Sequence, residues 1–363
     1  MKKIVLEGPT AEEVTIQGRV YLYFGGTNYL GMSARAEVAE GAKQAISSFG
    51  LSSSASRTST GTNRLHLQVE SALSKFCGTD DAIVLSSGYL AMQSLLEGVM
   101  EEDDFLLLQS SAHPSIQQAA KLTGLPCREF DVSNLAEIQR GFSSRRRVLV
   151  IAEGVSSLTG AVFPLPETMK LLDKVHFKIL IDDAHSLGVA GEHGKGTANF
   201  HRCESADIVA CATLSKAFGA FGGCVLSDGE IGERIRSRSF AYICASPPSA
   251  GDLGAALASI QLVTEQPGII WKLHQNVHRL KDGLSQLGFQ VEKNHIPIIP
   301  IILDSPEQMM ALSERLFASG ILAPYLNYPG SPEGGLIRLA VTASHTTGQI
   351  DRLLNAMKRL LGR

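Results

Sequence analysis

The sequence predicts an α/β fold: a mostly parallel central sheet covered by helices on both faces, followed by a smaller α+β C-terminal domain. Two observations carry this prediction. Short apolar runs alternate with longer amphipathic stretches through the first two-thirds of the chain, and long helical stretches take over from about residue 249. Strands that alternate with helices are typical of a doubly wound sheet. With 363 residues, 44% of them hydrophobic, the chain can bury a large core.

The strands of the sheet are predicted from short, nearly continuous apolar runs, a pattern typical of strands buried on both faces of a parallel sheet. Six such runs lie at residues 81–87, 104–110, 147–153, 178–184, 206–214 and 222–227. Helical spacing of apolar residues predicts helices at 65–78 and 164–175 between them. The first of these helices ends at Gly78, a residue that suits a helix C-cap.

The C-terminal third predicts long helices interrupted at Pro267, followed by strands that alternate with further helices. These strands are predicted at 296–303 and 336–343, and the helices at 306–320 and 346–361. We therefore predict three parts: an N-terminal segment (1–48), a large ligand-binding domain (49–249), and a linking helix with a small domain (250–363).

Composition argues against several classes of partner. The 33 lysines and arginines nearly balance the 36 aspartates and glutamates, which gives no electrostatic reason to expect nucleic acid or an anionic membrane. The start of the chain lacks a signal-peptide pattern, and no apolar stretch approaches the roughly 18–20 residues that span a bilayer. The six cysteines are scattered without metal-type pairing. We expect a cytoplasmic protein with reduced thiols.

The residues that follow the strands are the candidates for function, because ligands bind at the carboxyl ends of strands in open α/β sheets. Ser-Ser-Gly at 86–88 turns into a helix, whose first N–H groups favour an anion, although taken alone the motif is more often an ordinary N-cap. His113 follows another strand, and a lone histidine is more often a packed residue than a functional one. Residues 152–160 indicate a loop.

The fourth and fifth strand ends carry a carboxylate, an imidazole and a lysine. Asp182 and His185 follow one strand; they could form a structural ion pair, while a metal site lacks an obvious third ligand. Lys216 lies in a run with no other charge, three residues after Thr213. A buried lysine becomes nucleophilic near neutral pH. A Schiff-base lysine, a carboxylate and phosphate donors together are what pyridoxal 5'-phosphate (PLP) requires, and we predict no metal.

Two motifs, DDAHSLGVAGEHGKG (182–196) and TLSKAFG (213–219), make the chain resemble the α-oxoamine synthase family. Further matching motifs are NYLG (28–31), GTNRLHLQVE (61–70), SSGY (86–89), AHPSI (112–116), EGVSSLTG (153–160), SPP (246–248) and RLAVTASH (338–345). The resemblance implies the aspartate-aminotransferase-like fold (fold type I of PLP enzymes). It also implies PLP as cofactor, condensation of an amino acid with an acyl-CoA with loss of CO2, and a homodimer that shares its active site.

The resemblance also assigns roles to single residues. It implies that Lys216 forms the Schiff base, that Asp182 contacts the pyridine nitrogen, and that His113 stacks on the cofactor ring. His185 and Ser157 would lie near the ring hydroxyl. The phosphate group would bind Ser87, Gly88, Tyr89 and Thr213. Arg338 would receive the substrate carboxylate, with Asn28 as a second substrate-binding residue.

Several positions depart from the family pattern. Thr27 replaces an asparagine, Met92 a polar residue, Thr159 and Ala161 two acids, and Cys244 a hydroxyl residue that reaches the partner subunit's phosphate. The N-terminus is also shorter than in a typical member. The first expectation for the reaction is the 8-amino-7-oxononanoate type, from alanine and pimeloyl-CoA. The alternatives are an aminotransferase, aldolase or lyase on the same fold, or a binding protein that retains the fold without catalysis.

Overall fold

The computed structural model describes residues 4–139, 146–203, 205–328 and 330–362. Its strands are β1 (Glu13–Ile16), β2 (Arg19–Tyr23), β3 (Asp81–Leu85), β4 (Phe105–Gln109), β5 (Cys127–Phe130), β6 (Val148–Glu153), β7 (Phe177–Asp182), β8 (Ile208–Thr213), β9 (Gly223–Ser227), β10 (Ile298–Ile301), β11 (Ile321–Leu322), β12 (Tyr325–Leu326) and β13 (Leu336–Ala340). Its α-helices are α1 (Ala36–Phe49), α2 (Arg64–Cys77), α3 (Gly88–Val99), α4 (Pro114–Leu122), α5 (Leu165–Leu172), α6 (Thr197–Phe200), α7 (Gly229–Arg238), α8 (Phe240–Ile243), α9 (Ala250–Glu265), α10 (Gly268–Gln286), α11 (Pro306–Ala318) and α12 (Thr347–Leu361).

The central sheet has seven strands in the order β3-β9-β8-β7-β6-β4-β5. The five strands from β8 to β5 pair in parallel, and β9 is antiparallel to both of its neighbours. The sequence prediction of a mostly parallel sheet is confirmed. The prediction that the run at 222–227 is a parallel strand was wrong. Only residues 214–222 separate β8 from β9, and a parallel crossover needs a dozen residues or more.

Strand β5 was missed because it lacks the apolar run of its neighbours. It lies at the edge of the sheet beside β4, and of its four residues Cys127–Phe130 only Phe130 is buried. An edge strand packs little of its surface, so its composition is not required to be apolar.

The two ends of the chain share a small sheet. Strands β1 and β2 form an antiparallel hairpin, and β2 also pairs in parallel with β11 from the C-terminal third. The segments predicted as 1–48 and 250–363 are therefore joined by backbone hydrogen bonds. The boundary positions themselves remain a prediction.

The C-terminal elements follow the sequence prediction closely. Helix α9 ends at Glu265 and α10 begins at Gly268, so Pro267 separates the two helices as expected. Strand β13 pairs antiparallel with β10 on one side and with β12 on the other. Arg338 lies opposite Pro300 in this sheet, which fixes the strand position from which its side chain extends.

The register of the parallel strands brings their polar ends together. Glu153 at the end of β6 pairs with Asp182 at the end of β7, and Asp182 pairs with Cys211 on β8. The strand interiors are buried on both faces, so the polar side chains at the carboxyl edge are the first groups that a ligand can reach. Across the described part of the chain, no helix is both long and apolar enough to cross a membrane.

Candidate active site

A cavity of about 240 Å³ lies at the carboxyl edge of the parallel strands. Eight of the eleven residues singled out from the sequence line it: Ser87, Gly88, Tyr89, His113, Asp182, His185, Thr213 and Lys216. Ser157, Arg338 and Asn28 are not among its lining residues. Six further residues line the cavity but were not predicted as site residues: Ser115, Glu153, Ala184, Ser215, Phe221 and Gly222.

Lys216 follows β8 and enters the cavity floor next to His185. Its Nζ lies 2.8 Å from His185 Nε2. Burial lowers the pKa of Lys216 to about 8, against the opposing attraction of Asp182 and Glu153. Burial and the positive charge of Lys216 hold the pKa of His185 well below its usual range, so this imidazole is neutral. The amine is therefore available as a nucleophile close to physiological pH.

The two adjacent aspartates at the end of β7 have different partners. Asp182 lines the cavity, and its Oδ1 accepts a hydrogen bond from the Ala184 backbone N–H at 2.9 Å. Asp183 is turned into the protein, where it accepts hydrogen bonds from Ser186 Oγ and from the backbone N–H (3.1 Å) and Oγ1 (2.6 Å) of Thr197. Asp182 is thus the carboxylate that a ligand can use, whereas Asp183 ties the segment after β7 together.

His113 caps the next helix along the edge. Its Nδ1 accepts a hydrogen bond from the Ser115 backbone N–H at 3.2 Å at the start of α4 and lies 2.7 Å from Ser115 Oγ. Burial and the charge of Lys216 lower its pKa, which keeps the ring neutral. A neutral ring anchored through one nitrogen presents its face or its free nitrogen to the cavity.

The first turn of α3 also lines the cavity and is suited to bind an anion. Its first N–H groups, at Gly88 and Tyr89, have no acceptor within the helix. Thr213 and Ser215 add two hydroxyls, whose oxygens lie 2.8 Å apart. A Cβ on Gly88 would lie 2.6 Å from Thr213 Cβ, so only glycine allows this close approach. The sequence prediction had included Thr213 but not Ser215.

Arg338 lies behind His185, linked to it through Tyr29. Its guanidinium donates hydrogen bonds to the Ser157 carbonyl (Nε, 2.7 Å), the Gly26 carbonyl (Nη1, 3.1 Å) and the Tyr29 hydroxyl (Nη2, 3.0 Å). Within the described residues it forms no ion pair with a carboxylate. A guanidinium has five N–H groups, so one on each Nη nitrogen is left over for a ligand. Arg338 is 7% exposed, and a buried cation without an anion favours binding one.

Ser157 and Glu153 form a contact that the sequence prediction did not anticipate. Ser157 hydrogen-bonds the Glu153 carboxyl group through its side chain and its backbone N–H. The Ser157 carbonyl holds Arg338, so this serine connects the cavity to the arginine rather than lining the cavity. Glu153 is not among the site residues predicted from the sequence, although its position as the last residue of a buried strand is the same signal that identifies Asp182.

Glu153 is a second buried carboxyl group beside Asp182. Burial and the negative charge of Asp182 raise the pKa of Glu153 to about 8, although Ser157 and Lys216 oppose the rise. Below that pH the group is a neutral acid in the folded chain, whereas an unfolded chain ionises it near pH 4.5. Folding stability is therefore lost as the pH rises from about 4.5 to about 8.

Replacing Glu153 with glutamine should remove this pH dependence. We expect Glu153→Gln to match the natural chain at pH 4.5 and to exceed it in free energy of unfolding by about 2–4 kcal/mol at pH 8.5. Urea unfolding of the cofactor-free chain at both pH values measures this difference. The exposed Glu102→Gln is the matched control, with no expected effect. If the difference in free energy of unfolding between Glu153→Gln and the natural chain does not grow with pH, the raised pKa of Glu153 is contradicted.

The remaining predicted positions lie away from the cavity. The Asn28 amide donates to the Thr10 carbonyl at 2.9 Å, and its Oδ1 accepts from the Ser33 N–H at 3.3 Å. These bonds hold the Asn28 side chain against the N-terminal segment, and a substrate contact from Asn28 stays a prediction. Met92 is fully buried on the core side of α3, which explains why an apolar residue fits there. Cys244 is exposed and caps α8.

The cavity residues fit PLP. A lysine amine of lowered pKa suits the aldehyde, Asp182 keeps Oδ2 for a protonated ring nitrogen, and the helix start with Thr213 and Ser215 suits the phosphate. Among the described residues, no group of three or more histidine, cysteine, aspartate or glutamate side chains is arranged to hold a metal ion.

Comparison with known proteins settles the family. A profile of the family "Aminotransferase class I and II" matches residues 21–357. The chain belongs to this family. Within the family, its relatives are α-oxoamine synthases, so the resemblance found in the sequence motifs is confirmed.

Three relatives show how closely this chain resembles known α-oxoamine synthases. An 8-amino-7-oxononanoate synthase from Thermosipho melanesiensis is 31% identical, over 98% of this chain and 92% of that protein. 8-Amino-7-oxononanoate synthase 1 from Bacillus velezensis is 31% identical, over 99% and 92%. The solved serine palmitoyltransferase from S. paucimobilis with bound PLP and myriocin has a TM-score of 0.92 at 28% identity, covering 99% of this chain and 94% of that one.

These relatives confirm the predictions of fold and cofactor for this aminotransferase-family chain. The fold is that of a PLP-dependent transferase, with the mostly parallel sheet described above. The protein is a PLP-dependent enzyme of the α-oxoamine synthase type, which sets aside the alternative of a fold retained without catalysis. The roles of the individual residues remain predictions.

Proposed function

We propose that the protein condenses an amino acid with an acyl-CoA thioester, with loss of CO2, to form an aminoketone. The observation that carries this proposal is Arg338. It is a buried guanidinium without a carboxylate partner among the described residues, and it is connected by hydrogen bonds to the lysine that suits the PLP aldehyde. A guanidinium with two spare N–H groups suits the carboxylate of an amino acid.

The chain's own residues divide the work around that carboxylate. PLP, when bound, supplies an electron sink for the negative charge that develops on the amino acid's α-carbon. Asp182 holds a proton on the ring nitrogen, which sustains that sink. Lys216, the residue that would hold the PLP aldehyde, is a neutral amine above about pH 8 and would take the α-proton at Nζ. His113 presents a neutral ring from the start of α4 and positions the reacting groups.

The substrates that we propose are alanine and a pimeloyl thioester, which would yield 8-amino-7-oxononanoate. The relatives named 8-amino-7-oxononanoate synthase support this assignment because they align with nearly the whole chain at 31% identity. The serine palmitoyltransferase relative, at 28% identity, supports the same reaction class with a different amino acid and acyl chain.

We further propose that the protein works as a homodimer in the cytoplasm. Two aromatic side chains at the cavity, Tyr89 and Phe221, are 50% and 55% exposed in the single chain. Exposed aromatic rings beside a cavity that must exclude water are suited to burial by a second copy. The exposed Cys244 would then lie in or near that interface.

A coupled thiol assay tests the proposed reaction. The protein loaded with PLP should release free CoA thiol from pimeloyl-CoA only when an amino acid is present, with alanine the best of alanine, serine and glycine. Reactions without amino acid and without protein correct for thioester hydrolysis. Absence of thiol release across these amino acids with short and long acyl-CoAs would refute the acyltransferase assignment. Transfer of the amino group to a keto acid without CoA would favour an aminotransferase.

A further inference from the structure

Four polar side chains form a continuous hydrogen-bonded row from the arginine to the lysine. Arg338 Nη2 lies 3.0 Å from the Tyr29 hydroxyl, that hydroxyl lies 2.7 Å from His185 Nδ1, and His185 Nε2 lies 2.8 Å from Lys216 Nζ. Tyr29 is fully buried, and His185 is 6% exposed. The middle of the row is thus shielded from water, while its Lys216 end lines the cavity, so the buried groups must find their hydrogen-bond partners within the row.

The direction of each bond in the row follows from the chemistry of the groups. Arginine has donors only, so the Tyr29 oxygen accepts from Arg338. Burial raises the pKa of Tyr29 to about 12, so the phenol keeps its proton. Its O–H then needs an acceptor, and His185 Nδ1 is the one that the described residues provide.

The tautomer of the histidine is thereby fixed. A neutral imidazole that accepts at Nδ1 carries its proton on Nε2, the nitrogen facing Lys216. An N–H pointing at Nζ favours the neutral amine, which has a lone pair to accept it, over the ammonium. The row therefore acts in the same direction as burial on Lys216.

We propose that Tyr29 is a positioning residue that holds the proton of His185 on Nε2, and that it thereby couples the carboxylate site at Arg338 to the amine of Lys216. When a carboxylate binds the two spare N–H groups of Arg338, its negative charge offsets the guanidinium charge that polarises the Tyr29 hydroxyl, which weakens the donation from Tyr29 to His185. The part of this inference that concerns the substrate carboxylate rests on the proposed function. The tautomer control does not, because it belongs to the chain alone.

Other charged groups also act on Lys216, so the test must separate them from the row. The groups that face it from the surrounding strands and turns are Asp182 on β7, Glu153 on β6, Cys211 on β8, Arg338 on β13, His113 and His185. Replacing the Tyr29 hydroxyl alters none of these charges. A change caused by that replacement is therefore assigned to the hydrogen-bonded row.

The experiment follows the pH dependence of covalent PLP attachment to the full-length, cofactor-free chain, with borohydride trapping and peptide mass analysis at Lys216. The rate in the natural chain should rise with a midpoint near pH 8. In Tyr29→Phe, His185 is free to carry its proton on Nδ1 and to accept from the ammonium at Nε2. The midpoint should therefore rise by about one pH unit. An unchanged midpoint in a folded Tyr29→Phe chain would overturn the proposal.

Tyr23→Phe is the matched control. The Tyr23 side chain is also within electrostatic range of Arg338, but it makes no hydrogen bond to His185. Its removal should leave the midpoint where it is, and a shift equal to that of Tyr29→Phe would refute a specific role for Tyr29. Incorporation of 3-fluorotyrosine at Tyr29 provides a second variant of opposite sign. Its more acidic phenol donates more strongly to His185 and should lower the midpoint, even if Tyr29→Phe does not fold.

Propionate tests the coupling to Arg338, because it offers a carboxylate without an amine that could react. Saturating propionate should raise the midpoint pH of PLP attachment in the natural chain. In Tyr29→Phe, propionate should raise this midpoint by at most half as many pH units. Equal shifts in both chains would show that the carboxylate acts only through space and would overturn the coupling. A Tyr29 effect in a protein that fails the thiol assay would refute the proposed function and leave the tautomer control standing.

Discussion

Lys216→Ala should lose covalent PLP attachment entirely and reduce turnover by at least about a thousandfold. The reason is that, in the proposed reaction, Lys216 supplies two functions at one atom: the amine that binds the aldehyde, and the base that removes the α-proton. Its lowered pKa of about 8 serves both functions, since each needs the neutral amine. Borohydride trapping followed by mass analysis measures the first function, and thiol release from acyl-CoA measures the second.

Lys281→Gln is the control for this experiment. Burial lowers the pKa of Lys281 to about 8 as well, but its Nζ donates to the Asn294 side chain (2.6 Å) and carbonyl (2.9 Å) in the C-terminal part, away from the cavity. A low pKa alone does not make a Schiff-base lysine, so Lys281→Gln should keep covalent PLP on Lys216. Retention of covalent PLP in Lys216→Ala would contradict the assignment of Lys216.

The fold could be predicted from sequence where burial dictates composition. The apolar runs that became β3, β4, β6, β7 and β8 are strands covered on both faces, and burial on both faces favours apolar side chains along the whole strand. The periodicity of apolar residues carries no information on strand direction, so it could not show that β9 is antiparallel to its neighbours. The short connection between β8 and β9 is the feature that indicates this direction. The hairpin of β1 and β2 escaped prediction because its strands are four and five residues long and half exposed.

The site could be predicted in part, and the division has a physical cause. The rule that ligands bind at strand ends pointed to Asp182, His185 and Lys216, which follow buried strands and line the cavity in the structure. It did not point to Tyr29, whose proposed role depends on contacts to residues more than 150 positions away. Nothing in the sequence around Arg338 distinguishes it either, and only the motif resemblance pointed to it. The structure adds its three hydrogen bonds, to the Ser157 and Gly26 carbonyls and to the Tyr29 hydroxyl.

The sequence also could not tell which of two neighbouring aspartates serves the ligand. Successive side chains point to opposite faces at a strand end, so Asp182 and Asp183 have different surroundings. The amino-acid sequence does not indicate which of the two faces the cavity. The resemblance chose Asp182. The structure gives the reason, since Asp183 is already used by Ser186 and Thr197.

Asp182→Asn should reduce turnover by about a hundredfold to a thousandfold with little change in folding. The amide keeps the size of the side chain and the bond from Ala184, but it has no negative charge to hold a proton on the ring nitrogen of PLP. The loss should lie in kcat, because the electron sink acts after the amino acid has bound. Steady-state thiol release with varied amino acid separates kcat from KM.

The neighbouring variant makes this prediction specific to one carboxylate. Asp183→Asn removes a charge one position away, yet it leaves the cavity lining intact and costs about 1–3 kcal/mol of stability through the hydrogen bonds it weakens. Below its unfolding temperature, Asp183→Asn should therefore turn over at close to the natural rate and melt earlier, whereas Asp182→Asn should be slow and stable. If both variants are equally slow, the charge at the end of β7 acts through the general field of the site, and a direct contact between Asp182 and the ring nitrogen is refuted.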